Sequence, residues 1–257
     1  MGTALLKGWV ARNFGPFLVV EPNPTPELRR FARKNGIPLF AQLDAVDADG
    51  VAVCVVAIKP QILRTEAARF GAFAVAGALI LSIAAGTSTR TLARACGRGA
   101  RIIRAMPNLP GSIGRGVSGL YAPARVPPQD RELAERLLAA LGEVVWVGRE
   151  SLIDAVTAVS GSGPAYVFLL VEALAQAGEA AGLSRGLAMQ LARATVTGSA
   201  ALLDADARPA SELRRDVTSP GGTTAAALEI LMQGDALHGL MRAAVAAAKQ
   251  RAEELSA

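Results

Sequence analysis

Short apolar runs alternate with amphipathic segments along the first part of the chain. "PFLVVE" (16–21), "VAVCVVAI" (51–58), "ALILSIAA" (78–85) and "ARIIRAM" (100–106) carry aliphatic residues on successive positions, and Gly, Pro or Asp bounds each. Runs this short and continuous predict strands buried on both faces. Between them, "PELRRFARKNG" and "TSTRTLARACG" have helical spacing, with Thr25 as an N-cap before Pro26 and a glycine ending each segment. The chain opens on "MGTALLKGW", read as helix, and "QDRELAERLLAALG" followed by "EVVWVG" adds one more helix–strand unit. Strands alternating with helices predict a parallel, helix-covered sheet over residues 1–149.

Past Gly148 the pattern changes. Residues 150–257 hold no strand pattern; they are rich in Ala and Leu, with helical spacing interrupted at 161–164, 182–186, 208–209 and 219–222. An all-helical domain is therefore expected to follow the α/β domain. The apolar surface of "AYVFLLVEALAQAGEAAGL" exceeds what one small bundle can bury, which predicts a second copy packed against it.

One helix start carries candidate chemistry. In "VTSPGGTTAAALEIL" (217–231), glycines and hydroxyl side chains precede a helical run. Unpaired N–H groups and the positive end of the helix dipole meet there, with glycines that allow close approach and hydroxyls that add donors. That combination suits a small anion such as a carboxylate or phosphate, whereas an ordinary N-cap needs only part of it.

Composition narrows the field. At 257 residues and 51% hydrophobic, the chain can bury one large core or two modest ones. Cys54 and Cys96 lack metal spacing and read as reduced thilos of a cytoplasmic protein, and no other cluster suggests a metal. The net charge is +5, but the arginines are scattered and aromatics make up only 4%, so no nucleic-acid partner is expected. The apolar stretch 72–86 is too short to span a membrane, and no secretory signal pattern opens the chain. His238, the single histidine, has no evident partner and reads as a bystander. "GSGPAY" (161–166) follows no strand, so its glycines do not read as a dinucleotide fingerprint, and Pro164 fits a first helical turn.

"AIKPQ" (57–61), "SIAAGT" (82–87), "RAMPNLP" (104–110), "LIDAVTAVSGSGPAY" (152–166) and "DVTSPGGTTAAAL" (216–228) stand in the order found in pyrroline-5-carboxylate reductases. The resemblance covers essentially the whole chain, and its last two motifs are long and specific. It implies a Rossmann-like domain followed by a helical domain that interlocks into a homodimer, within larger rings in some members. It also implies reduction of a cyclic imine to proline by NADPH or NADH. Carried over, it puts Ala57, Lys59 and Pro60 beside the cofactor's pyrophosphate and ribose, and Ala84, Ala85 and Gly86 beside the nicotinamide ribose. Asn108 becomes a nicotinamide-side contact, and Asn23 and Asp44 lie near the adenosine.

The same resemblance makes Ser219, Gly222, Thr223 and Thr224 the cradle of the substrate carboxylate, in agreement with the anion site read from the residues. Thr157 falls near the imine nitrogen, to orient the substrate or hand over a proton. Glu150 and Asp216 match polar positions near the pocket.

Two departures from the family pattern are Leu109, where Thr is usual, and Asp44, where Asn is common. A third is larger. Relatives begin with a strand and "GxGxMG", and Met1 and Gly2 match the end of that loop, so the first strand is expected to be absent from the sheet. Glu21 could accept ribose hydroxyls and disfavour a 2′-phosphate, while Arg29 and Arg30 lie close enough to oppose it. A β-hydroxyacid dehydrogenase would carry a lysine in the long helix after the α/β domain, and residues 152–183 contain none. The remaining alternative is a dimerising chain that binds no dinucleotide.

Overall fold

The computed structural model describes residues 1–256, with the side chains of all but Arg64 and Ser256. The α/β part runs α1 (Gly2–Ala11), β1 (Val19–Val20), α2 (Pro26–Lys34), β2 (Leu39–Phe40), β3 (Val53–Val56), α3 (Pro60–Glu66) and α4 (Gly71–Val75). It continues through β4 (Leu79–Ser82), α5 (Thr89–Cys96), β5 (Ile102–Met106), β6 (Gly116–Tyr121), α6 (Pro128–Leu138), β7 (Gly142–Trp146) and α7 (Leu152–Val156). Residues 1–162, together with the end of the chain from 248, form one compact unit, and residues 163–247 form a second.

Alternation along the central strands builds the first unit. Leu79 and Leu81 on β4 enter one apolar cluster with Ile103 and Ala105, whereas Ile80 enters another with Ile102 and Val56. Odd and even positions thus feed opposite faces, as a pleated strand requires. Leu5, Leu6 and Trp9 of α1 join Leu137 and Leu138 of α6 on the first face, and Leu63 and Leu92 cover the second. The Trp9 indole donates to the Leu137 carbonyl at 2.8 Å, which pins α1 to α6. The expected cap forms as well, the Thr25 hydroxyl accepting the Leu28 N–H at 3.2 Å, and Ser88 caps α5 by accepting the Thr91 N–H at 3.1 Å.

The sheet departs from the expectation in three ways. First, it is mixed. β3, β4 and β5 are parallel, but β6 runs antiparallel to β5, with Arg104 opposite Tyr121 and Met106 opposite Gly119, and β7 lies parallel to β6. β6 reads poorly as a strand in "GVSGLY" because glycines interrupt it. The fold requires them: a β-carbon on Gly119 would stand 2.6 Å from the side chain of Val156 on α7. Second, the strand expected over 16–21 shrinks to Val19–Val20, and its partner β2 is equally short. Third, β1 pairs only with β2, and β3 only with β4, so the described residues form a two-stranded and a five-stranded sheet. Val19, Val53 and Val55 nevertheless pack on the same apolar cluster.

The second unit is helical: α8 (Gly163–Ala180), α9 (Arg185–Ala205), α10 (Ala210–Asp216), α11 (Thr223–Met232) and the first turns of α12 (Ala236–Ser256). α8 and α9 form a hairpin. Gly182 turns it at φ 99°, and Ser184 caps α9 through the Leu187 N–H at 3.4 Å. Pro164 sits in the first turn of α8, as expected. Large apolar side chains remain exposed along this unit, among them Phe168, Leu169, Leu170, Leu202, Ile230 and Leu240. The segment Leu152–Ala180 is long and apolar enough to cross a membrane by length and composition alone, with 11% of its window buried. The apolar stretch 72–86 divides instead between α4, β4 and the loop that follows.

Candidate active site

Three loops at the carboxyl ends of the parallel strands β3, β4 and β5 carry the candidate positions of the first unit, with the N-terminus of α1 beside the first of them. After β3, Lys59 takes the N-cap position of α3 and Pro60 its first turn, while Ala57 and Lys59 stay exposed. The N-terminus of α1 lies against this loop: a β-carbon on Gly2 would stand 3.1 Å from that of Ala57. The carbonyl of Met1 accepts the N–H groups of Ala4 and Leu5, at 2.9 and 3.1 Å, and no side chain caps the helix. The N–H groups of Gly2 and Thr3 precede those bonds and are directed out of the helix end. Met1 and Gly2 thus join Ala57, Lys59 and Pro60.

After β4, Ala84 is buried and Gly86 turns the loop at φ 65°. A side chain at Gly86 would collide with the Leu255 backbone, since its β-carbon would lie 2.8 Å from that carbonyl oxygen. The last turn of α12 therefore holds this loop from behind.

After β5, the Asn108 amide is engaged on both its oxygen and its nitrogen. Its Oδ1 accepts the Val117 N–H at 3.0 Å, and its Nδ2 donates to the Ser160 carbonyl at 3.2 Å. Ser160 belongs to a π-helical turn, Thr157–Gly161, closed by the Ser162 N–H on the Thr157 carbonyl at 2.8 Å. The spacing rules gave no sign of this widened turn, a feature found preferentially at functional sites. Within it, the Thr157 hydroxyl donates to the Ile153 carbonyl at 2.8 Å. Its proton is engaged, and its remaining lone pairs stay free to accept.

A charge network ties these loops together. Arg104, 3% exposed on β5, reaches Asp154 on α7 at 3.1 Å and Glu150 at 3.6 Å. Glu150 in turn accepts the Thr89 N–H at 2.6 Å and the Thr89 hydroxyl at 2.8 Å, which puts its carboxylate on the N-terminus of α5. A concavity of about 310 Å³ beside this network is lined by Ser88, Arg90, Arg104, Glu150, Ser151 and Asp154. Of these six residues, the sequence points only to Glu150. The missed signal was a lone arginine inside an apolar strand, with two carboxylates one helical turn apart in "ESLID".

The remaining positions lie elsewhere. Asn23 is exposed past β1, where its N–H donates to Glu21 at 3.0 Å. Asp44 sits in the turn Leu43–Ala45 and pairs with Arg69 at 2.6 Å. In the second unit, Gly222 is the N-cap of α11, Gly221 adopts φ 70°, and the Gly222 N–H bonds the Ser219 carbonyl at 3.0 Å. No side chain caps α11, which leaves the first-turn donors around Thr223 and Thr224 open to an anion. Asp216 ends α10 and pairs with Arg208 at 3.0 Å. His238 does have a neighbour, Asp235 at 3.8 Å one turn earlier, but both are exposed. Among the described residues, no group of acidic, cysteine and histidine side chains is arranged to hold a metal.

Known proteins complete the picture. Residues 150–255 match the family model described as pyrroline-5-carboxylate reductase dimerisation. A pyrroline-5-carboxylate reductase of Pseudomonas aeruginosa is 42% identical over 220 residues, covering 83% of this chain and 80% of the relative. One from Synechocystis is 37% identical over 257 residues, covering 99% and 94%. Among solved structures, a pyrroline-5-carboxylate reductase of Coxiella burnetii superimposes with a TM-score of 0.91 at 35% identity, covering 100% of this chain and 95% of its own. The Plasmodium falciparum pyrroline carboxylate reductase with NADP bound gives 0.83 at 26% identity, with the same coverage. This chain belongs to the pyrroline-5-carboxylate reductase family.

Proposed function

We propose that the protein reduces 1-pyrroline-5-carboxylate to L-proline, with NADPH or NADH as hydride donor, in the last step of proline biosynthesis. Family membership over nearly the whole chain carries this reading. The residues present fit a dinucleotide: a bare helix N-terminus and a glycine stand against an exposed βα loop, where a bulkier residue would fill the approach. Met1, Gly2, Ala57, Lys59 and Pro60 hold the pyrophosphate and ribose in this reading, Ala84, Ala85 and Gly86 line the nicotinamide ribose, and Asn108 borders the nicotinamide. Asn23 and Asp44 flank the adenosine. When bound, the cofactor supplies a hydride to the imine carbon.

The chain's own residues supply position and water exclusion, which suffice when the imine arrives protonated. Ser219, Gly222, Thr223 and Thr224 take the substrate carboxylate at the start of α11, with Asp216 as a polar neighbour, and Glu150 is the polar position that the first unit contributes to the substrate. Thr157 accepts a hydrogen bond from the iminium N–H rather than giving up its own proton, since the Ile153 carbonyl already holds that proton. Asn108 and the Arg104–Glu150–Thr89 network keep the loops in register.

The exposed apolar face of the helical unit, within the segment that matches the dimerisation model, supports a homodimer that could extend to a larger ring. That face also accounts for the apolar α8 without a membrane. We place the enzyme in the cytoplasm. Oxidation of NADPH by purified protein on addition of 1-pyrroline-5-carboxylate, with proline identified as product, tests the assignment. Failure to accelerate that oxidation overturns it.

A further inference from the structure

A second concavity, of about 510 Å³, opens on the outer side of α5 and is lined by Arg90, Ala93, Arg94, Arg98 and Arg125. Arg90 and Arg94 stand one turn apart on the helix, Arg98 follows in the turn after it, and Arg125 comes from the connection between β6 and α6. All four are exposed, and among the described residues none of them forms an ion pair. Like charges at this helical spacing repel, so the arrangement costs the isolated chain a little stability. An anion seated among them relieves that repulsion. Guanidinium forks bind phosphate oxygens two at a time, and the lining offers no aromatic ring or apolar slot for a base.

We propose that this concavity binds a phosphate chain, either free polyphosphate or the triphosphate of a nucleotide, at a site separate from the dinucleotide site. The positions assigned to the dinucleotide lie on α1 and on the loops after β1, β2, β3, β4 and β5, whereas these arginines lie on α5 and beyond β6. Arg90 also borders the concavity around Glu150, so the occupant touches the helix whose first turn Glu150 holds.

Isothermal titration of the full chain with sodium tripolyphosphate, with and without saturating NADPH, tests the site. Saturable binding unaffected by NADPH is expected, weakened about tenfold or more in the Arg94→Gln, Arg98→Gln double variant, which removes two bidentate contacts. ATP is expected to bind as tightly as tripolyphosphate. No saturable binding, full competition by NADPH, or equal affinity in the double variant would overturn the proposal. Much tighter binding of ATP would overturn it too, because recognition would then rest on the base. Since the readout is heat of binding, the outcome is independent of reductase activity.

Discussion

Gly2 lies so close to Ala57 that any side chain at position 2 presses on the loop after β3, with the two β-carbons 3.1 Å apart. Gly2→Val should therefore raise KM for NADPH by about tenfold or more, since a lost charge-assisted hydrogen bond is worth about 1.5–3 kcal/mol. Gly8 offers the internal control. A β-carbon there would stand 2.9 Å from the Ala140 carbonyl oxygen, where α1 packs on the turn after α6. Gly8→Ala is expected to cost about 1–3 kcal/mol of stability through overpacking while leaving KM alone. Steady-state kinetics and urea unfolding on the two variants separate the roles, and identical profiles would contradict them.

Arg104 is buried between two carboxylates. Asp154→Ala removes the shorter of the two pairs and leaves Arg104 with the more distant Glu150, so it should cost about 3–5 kcal/mol of stability. Glu150→Gln keeps a hydrogen-bond acceptor for Thr89 and should cost less, about 1–3 kcal/mol. Urea unfolding measures both, and the reverse order would show that Glu150 is the main counter-ion.

Thr224→Ala should raise KM for the imine roughly ten- to a hundredfold through loss of a hydrogen bond to a carboxylate, with little change in cofactor affinity. Equal effects on both ligands, or on neither, would remove the start of α11 from the substrate site.

Much of this was legible in advance. Strands β3, β4 and β5, helices α2 and α5 and the helical second half were readable because apolar runs, caps and glycines agree on them. Strand β6 was hidden, because Gly116 and Gly119 answer to packing against neighbouring elements rather than to strand propensity. The network of Arg104, Asp154 and Thr89 escaped notice because its members come from distant segments, and only the sheet brings them together. The π turn at Thr157 also left no periodic trace. The Thr157 hydroxyl donates to the Ile153 carbonyl within the same helix, a bond that residue spacing does not single out.

Both thiols should be inert near neutral pH. Burial pushes the Cys54 thiol up to about 12, with nearby Cys96 adding to the shift, and burial also raises Cys96, whose Sγ donates to the Ala67 carbonyl at 3.4 Å. A raised thiol stays protonated until pH approaches its folded value, so a disulfide reagent should react slowly in the native state, with little gain between about pH 7 and 9. Fast labelling there would show that β3 or α5 opens readily.

Self-association should depend on the exposed face of α8. Leu170, 55% exposed, is expected to be covered in the dimer, so Leu170→Asp should shift the protein toward monomer by sedimentation velocity. A wild-type monomer at micromolar concentration would contradict the dimer.

The central claim is hydride delivery to the imine carbon. NADPH deuterated at both nicotinamide C4 positions should give proline that carries one deuterium on C5 when incubated with the enzyme and 1-pyrroline-5-carboxylate, as read by mass spectrometry. Unlabelled proline, or no proline at all, would contradict the account.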